Sequence, residues 1–74
     1  MEGILIKEVS NSSNILGLKY IVATKSLEVT FTTGAVYRYD NVPESVANGL
    51  FDAESVGKTF FATVKGMFEF KQIS

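Results

Sequence analysis

Tyr37, Arg38 and Tyr39 stand side by side. Two rings with a guanidinium between them is a composition that single-strand binders use to stack unpaired bases, each worth roughly 1–3 kcal/mol. Lys58 and Lys65 are seven positions apart, which places them on one face of any helix that spans both; Lys71 follows. A helix beginning at Gly57 and Lys58 also turns free backbone N–H groups toward a phosphate. Three lysines neutralise about three phosphates, so the binding they support is weak and salt-sensitive. These six residues are the sequence's candidate surface for a nucleic acid or another partner. A solvated helix face and a buried pair of sheet rings explain the same letters, and the tyrosines are weighed below by strand register.

Catalytic chemistry finds little material. Ser55-Val56-Gly57-Lys58 spells the Ser-x-x-Lys of penicillin-recognising enzymes, which need an oxyanion hole and further partners that 74 residues do not easily supply. A helix N-cap followed by a surface lysine accounts for the same residues. Asp52 and Glu54 are the closest carboxylate pair, and carboxylates at a helix junction more often serve the helix dipole than acid–base work. With no Cys and no His, and no EF-hand spacing, the sequence names no catalytic residue, no metal ligand and no cofactor.

Composition narrows the class. Hydrophobic residues make up 46% and charged residues 20%, a globular mixture, and a single domain over residues 1–74 is expected. A chain this short without cross-links leans on packing, and six Phe and three Tyr supply it. The absence of Cys favours a cytoplasmic address. The N-terminus lacks a basic n-region, and no apolar run reaches the roughly 20 residues of a membrane span. Asn11-Ser12-Ser13 spells a glycosylation acceptor, which without a signal peptide is a turn. The net charge of −1 weighs against a dedicated nucleic-acid binder.

Hydropathy alternation sets the elements. A short strand begins at Ile4–Ile6, and a polar break follows over Ser10–Asn14. Residues 15–23 form a strand largely covered on both faces. After a turn at 23–26, Leu27, Val29 and Phe31 alternate with Glu28, Thr30 and Thr32 as a half-buried strand. A two-residue Thr33-Gly34 loop needs positive φ at a β-branched Thr; a three-residue loop over Thr32–Gly34 needs it only at Gly34. The second choice pairs Phe31 with Ala35, Val29 with Tyr37 and Leu27 with Tyr39. It turns both tyrosines toward the core and sets Arg38 opposite Glu28 on the outer face. Pro43 takes the first helical position, and a helix runs to Phe51 or Ala53. Ser55 caps a second helix through about Lys65, with Phe60 and Val64 on its inner face, ended by Gly66. Phe68–Lys71 forms a last edge strand. The expected fold is α+β: a small antiparallel meander of three to four strands packed against two C-terminal helices.

The chain resembles the KTSC domain family, whose name comes from the C-terminal extension of some lysyl-tRNA synthetases, in its stand-alone bacterial or phage-type form. The resemblance runs from about Val9 to Phe70. It rests on Ser12-Ser13-Asn14-Ile15, Tyr20, Leu27-x-Val29-x-Phe31, Gly34-x-x-Tyr37-x-Tyr39, Val42-Pro43, Ser55-Val56-Gly57, Phe60, Val64-Lys65 and Phe68-x-Phe70. Thr59 and Phe61 depart from the Tyr and Asn expected there, which puts in doubt any ligand contact those polar groups make in relatives. The resemblance implies an RNA association, by analogy with the synthetase context.

Two non-enzymatic functions follow. One is an accessory RNA-binding module using Arg38, Lys58, Lys65 and Lys71. The other is a protein-interaction module or phage-type regulator, anchored by an aromatic edge near Phe61, Phe68 and Phe70, either monomeric or dimeric through the strand at 68–72.

Overall fold

The computed structural model describes residues 3–10 and 12–74. Five strands form one antiparallel sheet in sequence order: β1 (Ile4–Glu8), β2 (Ile15–Ile21), β3 (Ser26–Phe31), β4 (Val36–Tyr39) and β5 (Phe70–Gln72). Between β4 and β5 lie α1 (Glu44–Phe51) and α2 (Val56–Thr63). The α+β meander is therefore as expected, but with five strands rather than three or four. β1 pairs with β2 along its whole length, and β5 closes the other edge against β4. The helices precede a last edge strand, as expected, which here runs over Phe70–Gln72.

The β3–β4 register is the one that turn chemistry selects. Leu27 faces Tyr39, Glu28 faces Arg38, and Val29 faces Tyr37. The Phe31 N–H donates to the Ala35 carbonyl at 2.9 Å, and Gly34 takes φ +94°. Only glycine occupies that region without steric penalty, so the loop fixes which face the tyrosines take.

β2 departs from the expectation of a strand largely covered on both faces at one residue, Leu16. Ile15, Leu18 and Tyr20 are buried, but Leu16 is exposed and the rest are intermediate. The cause is a bulge between Ile15 and Gly17, which shifts the alternation by one residue. Ile15 and Leu18 thereby share the core face, and Leu16 is turned out.

The core lies between one sheet face and the helices. Leu18, Tyr20, Leu27, Val29 and Tyr39 meet Val42, Ala47, Leu50, Val56, Phe60 and Val64. Pro43 is the N-cap of α1 rather than its first residue: its backbone is extended, and its carbonyl accepts from the Val46 and Ala47 N–H groups. Ser55 caps α2 as expected, accepting from the Lys58 N–H at 3.4 Å. α2 stops at Thr63, short of Lys65. The Phe60 carbonyl accepts from both Val64 and Lys65 N–H groups, and Gly66 at φ +81° then reverses the chain. Lys7 reaches across the sheet end and donates to the Phe51 carbonyl at the end of α1.

Tyr20 is fully buried, and its hydroxyl donates to the Val42 carbonyl at 2.6 Å, tying β2 to the segment leading into α1. Burial, and secondarily Glu44, push its pKa above the usual tyrosine value; burial and then Tyr37 do the same for Tyr39. An acid whose folded pKa is raised contributes fully below its unfolded pKa near 10, and loses that contribution as pH rises through the folded value. Urea unfolding should therefore show stability falling above about pH 10. Tyr20→Phe should cost about 1–3 kcal/mol at pH 7, because it strands a buried carbonyl, and should show a smaller alkaline loss. An alkaline limb as steep as that of the unaltered chain contradicts this assignment.

Candidate functional site

Six rings form a connected chain at the open end of the core. Phe60, at 1% exposure, meets Phe31, Tyr39 and Phe61 edge-to-face at 5.8, 5.5 and 5.6 Å between centroids. Phe31 meets Tyr37 edge-to-face at 5.4 Å. Phe70 lies tilted against Tyr37 and Tyr39 at 5.3 and 5.4 Å. These rings line a groove of 520 Å³ between the β3–β4 hairpin, α2 and β5. Its inner wall is buried Phe60 and Tyr39; its outer rings are Phe61 and Phe70, 46% and 56% exposed.

The polar lining is sparse and of one sign. Lys65 sets its ammonium 4.7 Å from the centroid of Phe61. Asn14, Thr32 and Thr33 supply the neutral polar groups, and among the described residues no carboxylate lines the groove. A smaller cleft of 280 Å³ adjoins it and shares Asn14 and Phe61. Ser12, Ser13, Ser55, Gly57 and Lys58 line the rest, again with no carboxylate among the described residues. Here Ser12 Oγ accepts from the Asn14 and Ile15 N–H groups, both at 3.2 Å. A Cβ at Gly57 would come within 3.3 Å of that oxygen, so glycine permits this close approach of loop and helix.

The six sequence candidates divide between two faces. Tyr37, Tyr39 and Lys65 line the aromatic groove, and Lys58 lines the adjoining cleft. Tyr39 is core at 4% exposure, while Tyr37 is half-buried. Lys58 and Lys65 do not share a helical face, because α2 ends between them; Phe61 stands between the two grooves instead. Arg38 and Lys71 pair with each other in the β4–β5 register, and strand alternation turns them to the sheet face opposite the tyrosines. Arg38 Nε lies 3.4 Å from Asp40 Oδ1 in a half-exposed ion pair, worth at most about 1 kcal/mol. Glu28, Asp40 and Glu69 line a shallow depression beside Arg38 on that side.

Ser55 is committed to its cap. Asp52 ends α1 rather than starting a helix, its N–H bonding the Asn48 and Leu50 carbonyls. Among the described residues no cluster of carboxylates is arranged to hold a metal ion, and no helix is long and apolar enough to cross a membrane. Asn11 of the glycosylation triplet lies outside the described residues. Sequence reasoning passed over Phe31 and Asn14 as groove residues. Phe31 read as ordinary strand alternation, and Asn14 as one letter of a polar break.

The model of the KTSC domain matches residues 11–68. The chain belongs to the KTSC domain family. A KTSC domain protein from Yersinia pestis has the same fold, with a TM-score of 0.88 and 32% identity over 96% of this chain and 99% of its own. A lysine–tRNA ligase of Nostoc punctiforme is 38% identical over 99% of the chain, which spans only 11% of that enzyme's length. A protein of Stutzerimonas stutzeri is 43% identical over 66% of the chain and 69% of its own length. The family signature is thus explained by packing: its Ser-Ser-x-Ile and Ser-x-Gly pieces here meet at the Ser12–Gly57 approach, and its two tyrosines belong to the ring chain.

Phe60 and Phe61 are adjacent, yet one is interior and the other is groove wall. Phe60→Ala should cost about 3–5 kcal/mol in denaturant unfolding, as a large core truncation does. Phe61→Ala should cost less than about 1 kcal/mol. Equal losses for the two would place Phe61 in the core and remove it from the groove wall.

Proposed function

We propose that this KTSC domain is a non-catalytic binding module that takes unpaired RNA bases into the aromatic groove. The observation that carries the reading is the groove's composition: exposed Phe61 and Phe70, half-buried Phe31 and Tyr37, Lys65 at the rim and, among the described residues, no carboxylate. Aromatic rings accept any base face, and a cation beside them attracts the phosphate that comes with it. The overall charge of −1 does not describe this side of the molecule. Among the described residues both grooves carry lysine as their one charged type, while Glu28, Asp40 and Glu69 gather beside Arg38 on the other sheet face. Lysine–tRNA ligases among the relatives, which by name act on a tRNA, agree with this reading. The electrostatic part is small, since Lys58 and Lys65 neutralise about two phosphates.

A second reading, a protein-interaction module, draws support from β5. This strand forms a free edge, and Met67, Phe70 and Ile73 near it are exposed. A second copy or another chain's strand would cover that edge by pairing with it.

Titration of a fluorescent single-stranded RNA decides between them. The RNA reading expects binding whose logarithm falls with log salt at a slope of roughly −1.4, from about two phosphate contacts. It also expects Lys58→Glu with Lys65→Glu to abolish binding, while an Arg38→Glu variant on the opposite face binds nearly as before. Absence of binding at low salt, with concentration-dependent self-association in sedimentation, overturns it in favour of the β5 edge.

A further inference from the structure

β5 is an edge of the sheet, and the hydrogen bonds beside it show which of its backbone groups are open. The Asp40 N–H donates to the Glu69 carbonyl at 3.0 Å, and the Ile73 N–H donates to the Val36 carbonyl at 2.8 Å. Residues 69 and 73, and Lys71 between them, therefore turn their backbone groups toward β4. Phe70 and Gln72 turn theirs outward, where a further strand can take them.

On the sheet face away from the helices, the charges of β5 stand beside charges of their own sign. Arg38 faces Lys71, and the Asp40–Glu69 bond continues that register, so Asp40 stands across from Glu69. Like charges directly opposite on neighbouring strands destabilise a sheet. On β4 the two charges offset each other, since Arg38 Nε lies 3.4 Å from Asp40 Oδ1. On β5, Glu69 and Lys71 are both exposed and face the open edge with the same two-residue spacing.

We infer that β5 pairs antiparallel with β5 of a second copy about a two-fold axis at Phe70, setting Lys71 of each chain opposite Glu69 of the other. The inference commits the free edge described above to one occupant and one register, and it needs no RNA. Three two-fold registers use the open groups of Phe70 and Gln72. An axis at Lys71 opposes the two Lys71 ammonium groups. An axis at Gln72 sets Lys71 against Ile73 and leaves Glu69 without a facing residue in β5. The axis at Phe70 gives both charges an opposite partner. Each outer-face row then runs Arg38, Lys71, and Glu69 and Asp40 of the second copy, two positive charges meeting two negative ones.

The groove face gains from the same axis. Phe70, 56% exposed, comes opposite its own counterpart, and cross-strand aromatic pairs stabilise a sheet. Phe70 lies 5.3 and 5.4 Å from Tyr37 and Tyr39, so the ring chains of the two copies meet at the axis. A continuous sheet keeps both pairs of helices on one side, and the two aromatic grooves adjoin there. β5 spans only Phe70–Gln72, so the interface is small and the dimer weak.

The test is sedimentation equilibrium at low salt of the unaltered chain, Lys71→Glu and Glu69→Lys, each alone and the two variants mixed, with circular dichroism confirming that each variant is folded. The unaltered chain should pass from monomer to dimer as its concentration rises toward about 1 mM, the range of a small interface. Each variant alone sets like charges opposite at both contacts and should self-associate more weakly by about ten-fold or more. Mixed one to one, the carboxylates of one variant face the ammonium groups of the other at both contacts, and the dimer should return. Recovery on mixing is specific to this register, because a substitution that merely unsettled β5 is not rescued by a second one. A chain that stays monomeric over that range overturns self-pairing at this edge. Self-association that neither substitution weakens, or variants that stay apart when mixed, overturns the register. Each of these outcomes leaves the RNA reading to its own titration.

Discussion

Phe60 joins the parts of this domain that the sequence keeps far apart. It projects from α2 and makes ring contacts with β3 through Phe31, with β4 through Tyr39, and with its own neighbour Phe61. The helix is short, and among helices of this length stability comes from tertiary packing rather than propensity. Edge-to-face ring pairs add about 0.5–1.5 kcal/mol each beyond the area they bury. With Val56 and Val64 buried beside it, that anchor sets α2 at the distance from β4 that keeps the groove open. Its position in turn depends on β4 presenting Tyr39 inward, which the positive φ of Gly34 secures.

Much of this was legible in the sequence because it rests on local rules. Leu27, Val29 and Phe31 alternate without interruption, and Thr33 excludes the shorter hairpin loop, so the β3–β4 register could be read residue by residue. Ser55 is a strong N-cap and caps as its type suggests. The failures share a cause in non-local effects. The bulge at Leu16 is set by pairing of β2 with β3, and an uninterrupted apolar run hides it. α2 ends at Thr63, three residues before the Gly66 that local rules pick, as the chain leaves the helix at Val64 to return into β5. Periodicity alone carried the helix to Lys65 and placed Lys58 and Lys65 on one face.

The candidate site was legible by type and not by grouping. Tyr37, Tyr39, Lys58 and Lys65 were all named from sequence, yet so were Arg38 and Lys71, which the pleat sends to the opposite side. Adjacent positions in a strand face opposite ways, so the Tyr-Arg-Tyr triplet cannot act as one unit. Phe61, one of the two departures from the family pattern, replaces an expected amide with a ring at the junction of both grooves. Asn14 supplies an amide to that same junction from another segment. The net charge misleads for a similar reason: carboxylates lie beside Arg38, and lysines line the grooves.

The central claim is that ligand enters on the ring-lined side of the sheet. Backbone and aromatic NMR shifts of the labelled domain, followed as a single-stranded RNA is added, test this most directly. The account predicts perturbations at Asn14, Phe31, Tyr37, Phe61, Lys65 and Phe70, with Glu28, Arg38 and Asp40 left in place. Shifts concentrated on Glu28, Arg38, Asp40 and Lys71, with the rings unmoved, contradict it.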